Sequence, residues 1–465
     1  MDAPLADGSK PATDVVHDVI GVGFGPSNLA LAIALEETVA KSGGRCDFRF
    51  IEKQSRFNWH GGMLLPDSRM QVSFLKDLVS LRDPTSPFSF VNFLHKNQRL
   101  TDFINQKTFF PSRFEFNEYL CWAAAAFDQR CWYGEEVVAI EPEGKGSIVT
   151  HLRVVSRTPS GERRLRQARN LVLAIGGTPH VPAVFRSLRG DARVFHSSTY
   201  LHSIDRANLD AHRLTRVAVV GGGQSAAEIF LDLDQRSPAA AVDMVIRKHA
   251  LRPADDSPLA NQIFDPQFTD LIFGRPEAQR RDLLREFSNT NYSVADADLI
   301  RRIADILYQQ KVRRAPRHAL MPARQIIDTE AGPDGVALTI QDMVSGLSER
   351  RLYDAVILAT GYDRDIDSRL VAGLHDQFPE LVVDRHYRMQ TPETFQPSIF
   401  LQGFCEMTHG LSDTLLSVLV PRAGEIARTL IESMPRGERP ALSPVPLRAS
   451  PGEGVHLSVA SAHRQ

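Results

Sequence analysis

The sequence predicts an α/β protein built from two Rossmann-like dinucleotide-binding domains, the second inserted in the first. Three observations carry this reading. Two glycine-rich turns, each closing an apolar strand and opening a helix, begin at Gly21 and Gly221. The strand that follows each turn ends in opposite charge: Phe48-Arg-Phe-Ile runs into Glu52, and Val242-Asp-Met-Val-Ile runs into Arg247. An acid at that position accepts hydrogen bonds from a bare ribose diol, as FAD offers, whereas an arginine can pair with the 2'-phosphate of NADPH. Finally, two buried-type strands, Leu171-Val-Leu-Ala-Ile and Asp354-Ala-Val-Ile-Leu, each end in a tight turn. The chain therefore leaves the first domain near 180–195 and returns near 355.

The expected organisation follows. Residues 15–195 and 350–432 form the FAD-binding domain, and 196–349 the NADPH-binding domain. A helical substrate-binding segment spans about 255–312, and disordered tails cover 1–14 and 433–465. The second tail is rich in Pro, Ser, Arg and Gly. Within the helical segment, Leu299, Ile303, Ile306 and Leu307 share one face of a helix expected over Val294–Gln310. A last helix is expected over Leu415–Ser433.

Bulk composition narrows the function. The chain has 465 residues, too many for one ordinary core, and its 43% hydrophobic content suits a globular enzyme. A net charge of −2 gives no electrostatic case for nucleic acid or an acidic membrane. No apolar run approaches the roughly 20 residues that span a bilayer. Cys46, Cys121, Cys131 and Cys405 have no CxxC or metal-ligand spacing and read as reduced cysteines of a cytoplasmic protein. Asp255 and Asp256 have no further carboxylates nearby to complete a metal site, so none is expected.

The candidate cofactor residues are the turns and the helix starts they feed. Gly21 and Gly23 let the backbone approach a pyrophosphate resting on the helix that begins at Pro26 and Ser27. Proline suits that first turn because no donor is needed there. Gly222, Gly223, Gln224 and Ser225 repeat the arrangement, and Arg247 reads either as the phosphate partner or as a solvated surface arginine. Lys76, Asn261 and Asn291 are ambiguous from the residues alone. A lysine amid apolar residues can bury its stem and keep its head in water, and asparagines are ordinary loop and cap residues.

Longer motifs resolve that ambiguity. Gly-Phe-Gly-Pro-Ser-Asn-Leu, Met-Gln-Val-Ser-Phe-Leu-Lys-Asp-Leu-Val, Gly-Gly-Gly-Gln-Ser-Ala-Ala-Glu, Asp-Asp-Ser-Pro, Asn-Thr-Asn-Tyr-Ser, Ala-Thr-Gly-Tyr and Thr-His-Gly-Leu-Ser-Asp-Thr-Leu-Leu-Ser all occur in the chain. Over roughly residues 15–432 it resembles the flavin-dependent N-hydroxylating monooxygenases of siderophore biosynthesis, the ornithine and lysine N-monooxygenases. The resemblance implies that Glu52 to His60, with Trp59 and His60 among them, line FAD, and that the Val137 backbone lies near adenine. It implies Gln71 against the flavin, Arg113 on the nicotinamide side, and Thr414, Leu415 and Leu416 at the isoalloxazine. Lys76 and Asn261 would hold the amino-acid head of the substrate. Asn291 would sit between substrate and NADP with Tyr292 and Ser293 beside it, and Ser417 would face the substrate. Gln71, Arg113 and Asn291 are thus the candidate catalytic residues.

The implied chemistry is attack of a neutral side-chain amine on a C4a-hydroperoxyflavin formed from molecular oxygen. L-ornithine is favoured as substrate, with L-lysine as the alternative and a homo-oligomer, a tetramer being one form, as the assembly. The loop after Tyr362, Asp-Arg-Asp-Ile-Asp, lacks the proline the family pattern leads one to expect. Rival readings fit less well. A disulfide reductase needs a CxxC, and a Baeyer–Villiger enzyme needs a Gly-x-x-x-His fingerprint that Gly190 and His196 do not space correctly. A non-catalytic sensor binding both nucleotides is the alternative of a different class.

Overall fold

The computed structural model describes residues 15–207, 215–375, 377–378 and 382–434. The first sheet runs in the order Cys131–Tyr133, Phe48–Glu52, Val16–Val22, Arg163–Leu173, Ile148–Arg157, Glu136–Lys145, with Ser398–Leu401 also paired to Arg163–Leu173. Its nucleotide half is parallel. The strands Glu136–Lys145, Ile148–Arg157 and Arg163–Leu173 form an antiparallel meander. Val16–Val22 is buried on both faces from His17 onward, as expected of a central parallel strand. The helix Pro26–Ser42 buries Asn28 to Leu35 without a break and ends at Gly43 in the left-handed region. It packs on Leu419–Ser433, whose Leu419, Val420, Ala423, Ile426, Ala427 and Leu430 form one apolar stripe.

The second sheet is entirely parallel, in the order Ala319–Met321, Ala240–Val245, Thr215–Val220, Ala355–Leu358, Val194–His196. A three-stranded antiparallel ribbon, Arg324–Gly332, Gly335–Asp342 and Ser348–Tyr353, precedes its fourth strand. The expected domain boundaries at 195/196 and 349/350 therefore move. Val194–His196 and Ala355–Leu358 belong to the second sheet, and the chain rejoins the first domain only after Leu358. The apolar run 355–358 is what any buried parallel strand looks like, so its pattern could not say which sheet it joins.

Helices populate the 255–312 region as expected, at Pro266–Phe273, Glu277–Glu286 and Ala297–Arg313. The last starts three residues later than the apolar period suggested, because Ala295 is held extended by its N–H bond to the Arg252 carbonyl, 3.0 Å. Ile303 is buried and Leu299, Ile306 and Leu307 pack against the second core. The final helix likewise begins at Leu419 rather than Leu415, since Leu415 is extended (φ −114°, ψ 166°) between two short turns. The expected tails lie outside the described residues, apart from Ser433 and Met434.

One segment joins the two domains. Met63 and Leu65 leave the first domain and insert into the core of the second beside Tyr200 and Phe230. Gly62 permits this: a Cβ there would lie 2.0 Å from the Ser198 carbonyl oxygen.

Candidate active site

The first glycine turn is shaped by close packing. Gly21 lies so near Phe50 that a Cβ would approach its ring to 2.4 Å, and Gly23 has φ +83° with the Ala174 carbonyl at 2.6 Å from any Cβ. Ahead of Pro26, Gly25 faces open space, with nothing within 4 Å of a Cβ position. An open helix N-terminus of this kind suits a pyrophosphate. Glu52 sits at the adjacent strand end, its carboxylate accepting from the Phe24 N–H at 2.7 Å and the Gln54 N–H at 2.8 Å. Each oxygen keeps acceptor capacity for a ribose hydroxyl. The Glu135 N–H donates to the Glu52 carbonyl, and Val137 follows two residues on, where the ladder to Ile148–Arg157 slips register.

Two supports of this turn were missed in the sequence. Asn28, fully buried, donates to the Gly23 carbonyl at 2.7 Å and accepts from Gln402 at 2.9 Å. Arg422 and Asp413 form a buried ion pair at 2.7 Å. Arg422 also donates to the Ser27 hydroxyl at 3.0 Å, and Asp413 accepts from the Cys405 N–H at 2.7 Å. This pair fastens the turn carrying Thr414, Leu415 and Leu416 to the start of the nucleotide helix. Ser412-Asp413 stood inside a quoted motif, but nothing local tells a buried carboxylate from a cap.

Between the domains the cleft gathers Trp59, His60, Arg364, Tyr292 and Glu406. Trp59 packs edge-on to His60 at 4.5 Å, and its backbone N–H donates to the Asn117 side-chain oxygen. His60 borders the cleft in a left-handed conformation (φ 54°). Surrounding protein, Arg113 and Arg364 lower its pKa to about 4, so the ring is neutral near pH 7. The Tyr292 hydroxyl donates to Glu406, and burial pushes both groups up. Arg364 comes from the loop after Tyr362 that departs from the family pattern. That loop starts with Tyr362–Asp363 paired to Thr178–Pro179.

The second turn repeats the first. Gly221 (φ +146°) lies against the Ala359 carbonyl, 2.2 Å from a Cβ position, and Gly222 against Ile246. Gly223 precedes the helix Gln224–Arg236 with no atom nearer than 3.8 Å to its Cβ position. Ser225 is half-buried in the first turn of that helix. Arg247 is exposed just past the strand Ala240–Val245. Lys248 beside it donates to the Tyr292 and Ser293 carbonyls at 3.4 and 3.2 Å, and burial with Arg252 nearby lowers its pKa.

Of the residues expected around the substrate, some converge and some do not. The Lys76 ammonium lies 5.9 Å from the Phe264 ring centroid. Burial lowers its pKa while Asp265 acts the other way. Lys76 thus meets the segment bearing Asn261, whose amide donates to the Asp256 carbonyl at 3.0 Å. Asn291 is half-buried one residue before Tyr292. Ser417 is only 1% exposed, so it is closed off from the open cleft. Gln71 and Arg113 both point across the domain boundary, Gln71 to Asp296 at 3.0 Å and Arg113 to Glu228 at 2.7 Å. Among the described residues, no cluster of His, Cys, Asp or Glu could hold a metal, and no helix is long and apolar enough to cross a membrane.

Two dinucleotide-type turns facing one cleft, with opposite charges on the neighbouring strand ends, define a two-domain flavin and nicotinamide oxidoreductase. Residues 15–364 match the model of the L-lysine 6-monooxygenase/L-ornithine 5-monooxygenase family, and the chain belongs to that family. It is 50% identical over 426 residues to the L-ornithine N(5)-monooxygenase of Pseudomonas aeruginosa, covering 92% of this chain and 96% of that one. Among solved structures it is similar to an ornithine hydroxylase from Pseudomonas aeruginosa (TM-score 0.86, 51% identity, 90% of this chain and 100% of that one). It is also similar to an ornithine N-hydroxylase from Kutzneria with reduced FAD, NADP+ and L-ornithine (TM-score 0.84, 40% identity, 90% and 99%).

Proposed function

We propose that the protein is an FAD- and NADPH-dependent L-ornithine N5-monooxygenase. It converts L-ornithine, O2, NADPH and a proton to N5-hydroxyornithine, NADP+ and water, for a hydroxamate siderophore or related peptide. One observation carries the cofactor reading: both glycine turns open helices, Gly25 onto clear space and Gly223 with Ser293 and Val294 at 3.8 Å from its Cβ position, beside strand ends that bear Glu52 and Arg247. FAD would be held by Gly21, Gly23, Pro26, Ser27, Glu52, Trp59, His60, Val137 and the Thr414–Leu416 turn. NADPH would be held by Gly222, Gly223, Gln224, Ser225, Arg247, Tyr292 and Ser293. Bound flavin, reduced by NADPH, supplies the activated oxygen.

The chain's own residues bind and orient. Lys76 offers an ammonium to the substrate carboxylate and, with Asn261, fixes the amino-acid head. The far amine must be neutral to attack, yet a free alkylammonium has a pKa of about 10.4. Burial disfavours its charged form. Asn291 orients the amine without restoring its charge. Gln71 and Arg113 face the flavin and nicotinamide sides. Ser417 remains a proposed substrate contact that needs a local opening, given its burial.

Four free thiols and the absence of a membrane-crossing helix among the described residues support a cytoplasmic location. Exposed Ile104, Phe109, Phe110 and Phe114 support a homo-oligomer, with a tetramer as one form. The test of the activity is direct. Purified protein should carry yellow flavin and, with NADPH and ornithine in air, yield a product one oxygen heavier that gives a hydroxylamine reaction. Tight NADP binding without turnover would favour a nucleotide sensor instead.

A further inference from the structure

Gln71 and Arg113 belong to the first domain, yet their side chains are fixed by acids of the second. Arg113 and Glu228 form a bidentate pair, with nitrogen to oxygen distances of 2.9 and 2.7 Å and side chains 12% and 5% exposed. Arg113 also donates to the Met63 carbonyl at 3.0 Å, in the segment that joins the domains. Glu228 accepts in turn from the Gln224 amide at 3.0 Å. That amide donates to Asp296 at 2.9 Å, and its oxygen accepts the Asp296 N–H at 2.9 Å. The other oxygen of Asp296 accepts from Gln71 at 3.0 Å. The path Arg113, Glu228, Gln224, Asp296, Gln71 is therefore unbroken and crosses the boundary twice.

Asp296 supplies the second observation. It occupies the N-cap of the helix Ala297–Arg313, where an aspartate ordinarily accepts an N–H of its own helix. Here it makes no such cap bond. Its carboxylate is spent on Gln224 and Gln71 instead. Gln224 also opens the helix whose N-terminus faces the proposed NADPH site, so the nucleotide end and the flavin-facing Gln71 share one amide.

We propose that Glu228 and Asp296 are positioning residues: they hold Arg113 and Gln71 in place through the interdomain network and lock the NADPH-binding domain in register with the flavin. The proposal rests on the cofactor reading given above. A hydrogen-bonded network of this kind, part-buried from Arg113 to Asp296 and exposed at Gln71, favours one arrangement, and removing one member leaves its partners unpaired. Because binding coupling is reciprocal, loosening the network should weaken NADP+ binding as well as misplace Gln71.

Three disrupting variants, Asp296→Asn, Asp296→Ser and Glu228→Gln, and one conservative variant, Asp296→Glu, test this on the FAD-loaded full chain. Serine is a good N-cap but cannot reach both glutamines, so a purely helix-stabilising Asp296 would tolerate it. NADP+ affinity by calorimetry and interdomain distance by solution scattering are read without turnover. Hydroxylamine formed per NADPH consumed is read with ornithine. The expected result is retained flavin and a tenfold or greater loss of NADP+ affinity. The scattering distribution should be broader, and coupling should fall at least threefold, with Asp296→Glu restoring part of both. Affinity, scattering and coupling within twofold of the parent would overturn the proposal. So would loss of flavin in all three disrupting variants, which would assign the network to folding. Failure of the parent itself to bind NADP+ or form hydroxylamine would instead refute the cofactor reading.

Discussion

Lys76 and Arg247 each carry a single charge whose removal should read out cleanly. Lys76 has its ammonium 5.9 Å from the Phe264 ring centroid, partly buried and under the attraction of Asp265. Lys76→Ala should raise the ornithine KM by about 10- to 100-fold, since a hydrogen bond to a charged group contributes about 1.5–3 kcal/mol. Flavin content and NADPH oxidation should stay largely intact, with peroxide formed in place of hydroxylamine. Loss of flavin would return Lys76 to a structural role. Arg247 is exposed beside the second turn, where a 2'-phosphate would sit. Arg247→Ala should shrink the preference for NADPH over NADH about tenfold or more. Equal effects on both nucleotides would remove the assignment. Both residues were singled out in the sequence, Lys76 by its motif and Arg247 by its strand-end position, and these variants test the roles proposed for them. Glu228 and Asp296 were not, since a carboxylate in a helix or at an N-cap reads as ordinary until its partners from another domain are known.

At the scale of elements, hydrophobic period found strands and helices well but could not assign them to sheets. Ala355–Leu358 is as apolar as Leu171–Leu173, yet the two lie in different sheets, because pairing depends on partners far along the chain, Val217–Val220 and Val194–His196 for the former. Helix starts were displaced where tertiary bonds hold the chain extended, at Ala295 and Leu415. His318 shows how one ring can join elements. Its Nδ1 accepts from the Val242 N–H at 3.0 Å and its Nε2 lies 3.0 Å from Asp234, on the helix Gln224–Arg236. Accepting at Nδ1 requires the neutral ring, and burial lowers its pKa to about 4. The unfolded chain, with a histidine pKa of about 6.5, binds the proton more readily between those values. Stability from this site is therefore complete above about pH 6.5 and is lost as pH falls toward 4. The melting temperature of His318→Gln should fall less steeply than that of the parent between pH 6.5 and 4.5. Equal slopes would contradict the assignment.

For the whole molecule, the two-domain plan was legible because each glycine turn comes with its own apolar strand and helix. The join between the domains was not. Met63 and Leu65 look like any apolar pair in a loop, and only the structure puts them in the core of the other domain. In the proposed function Lys76 and Asn261 hold the amino-acid head of the substrate, Asn261 from a segment that packs against the turn Leu411–Thr414. A head held there, with the flavin fixed by its own domain, would act as a ruler for the substrate. Lysine is one methylene longer than ornithine, and one methylene in a pocket is typically worth only about 1–3 kcal/mol in binding. Misalignment at the reacting atom costs more, of order 100-fold in rate. The most direct measurement is hydroxylamine formed per NADPH consumed, for ornithine and for lysine under the same conditions. The account predicts close to one for ornithine and mainly wasteful NADPH oxidation for lysine. Lysine coupled as well as ornithine would contradict it.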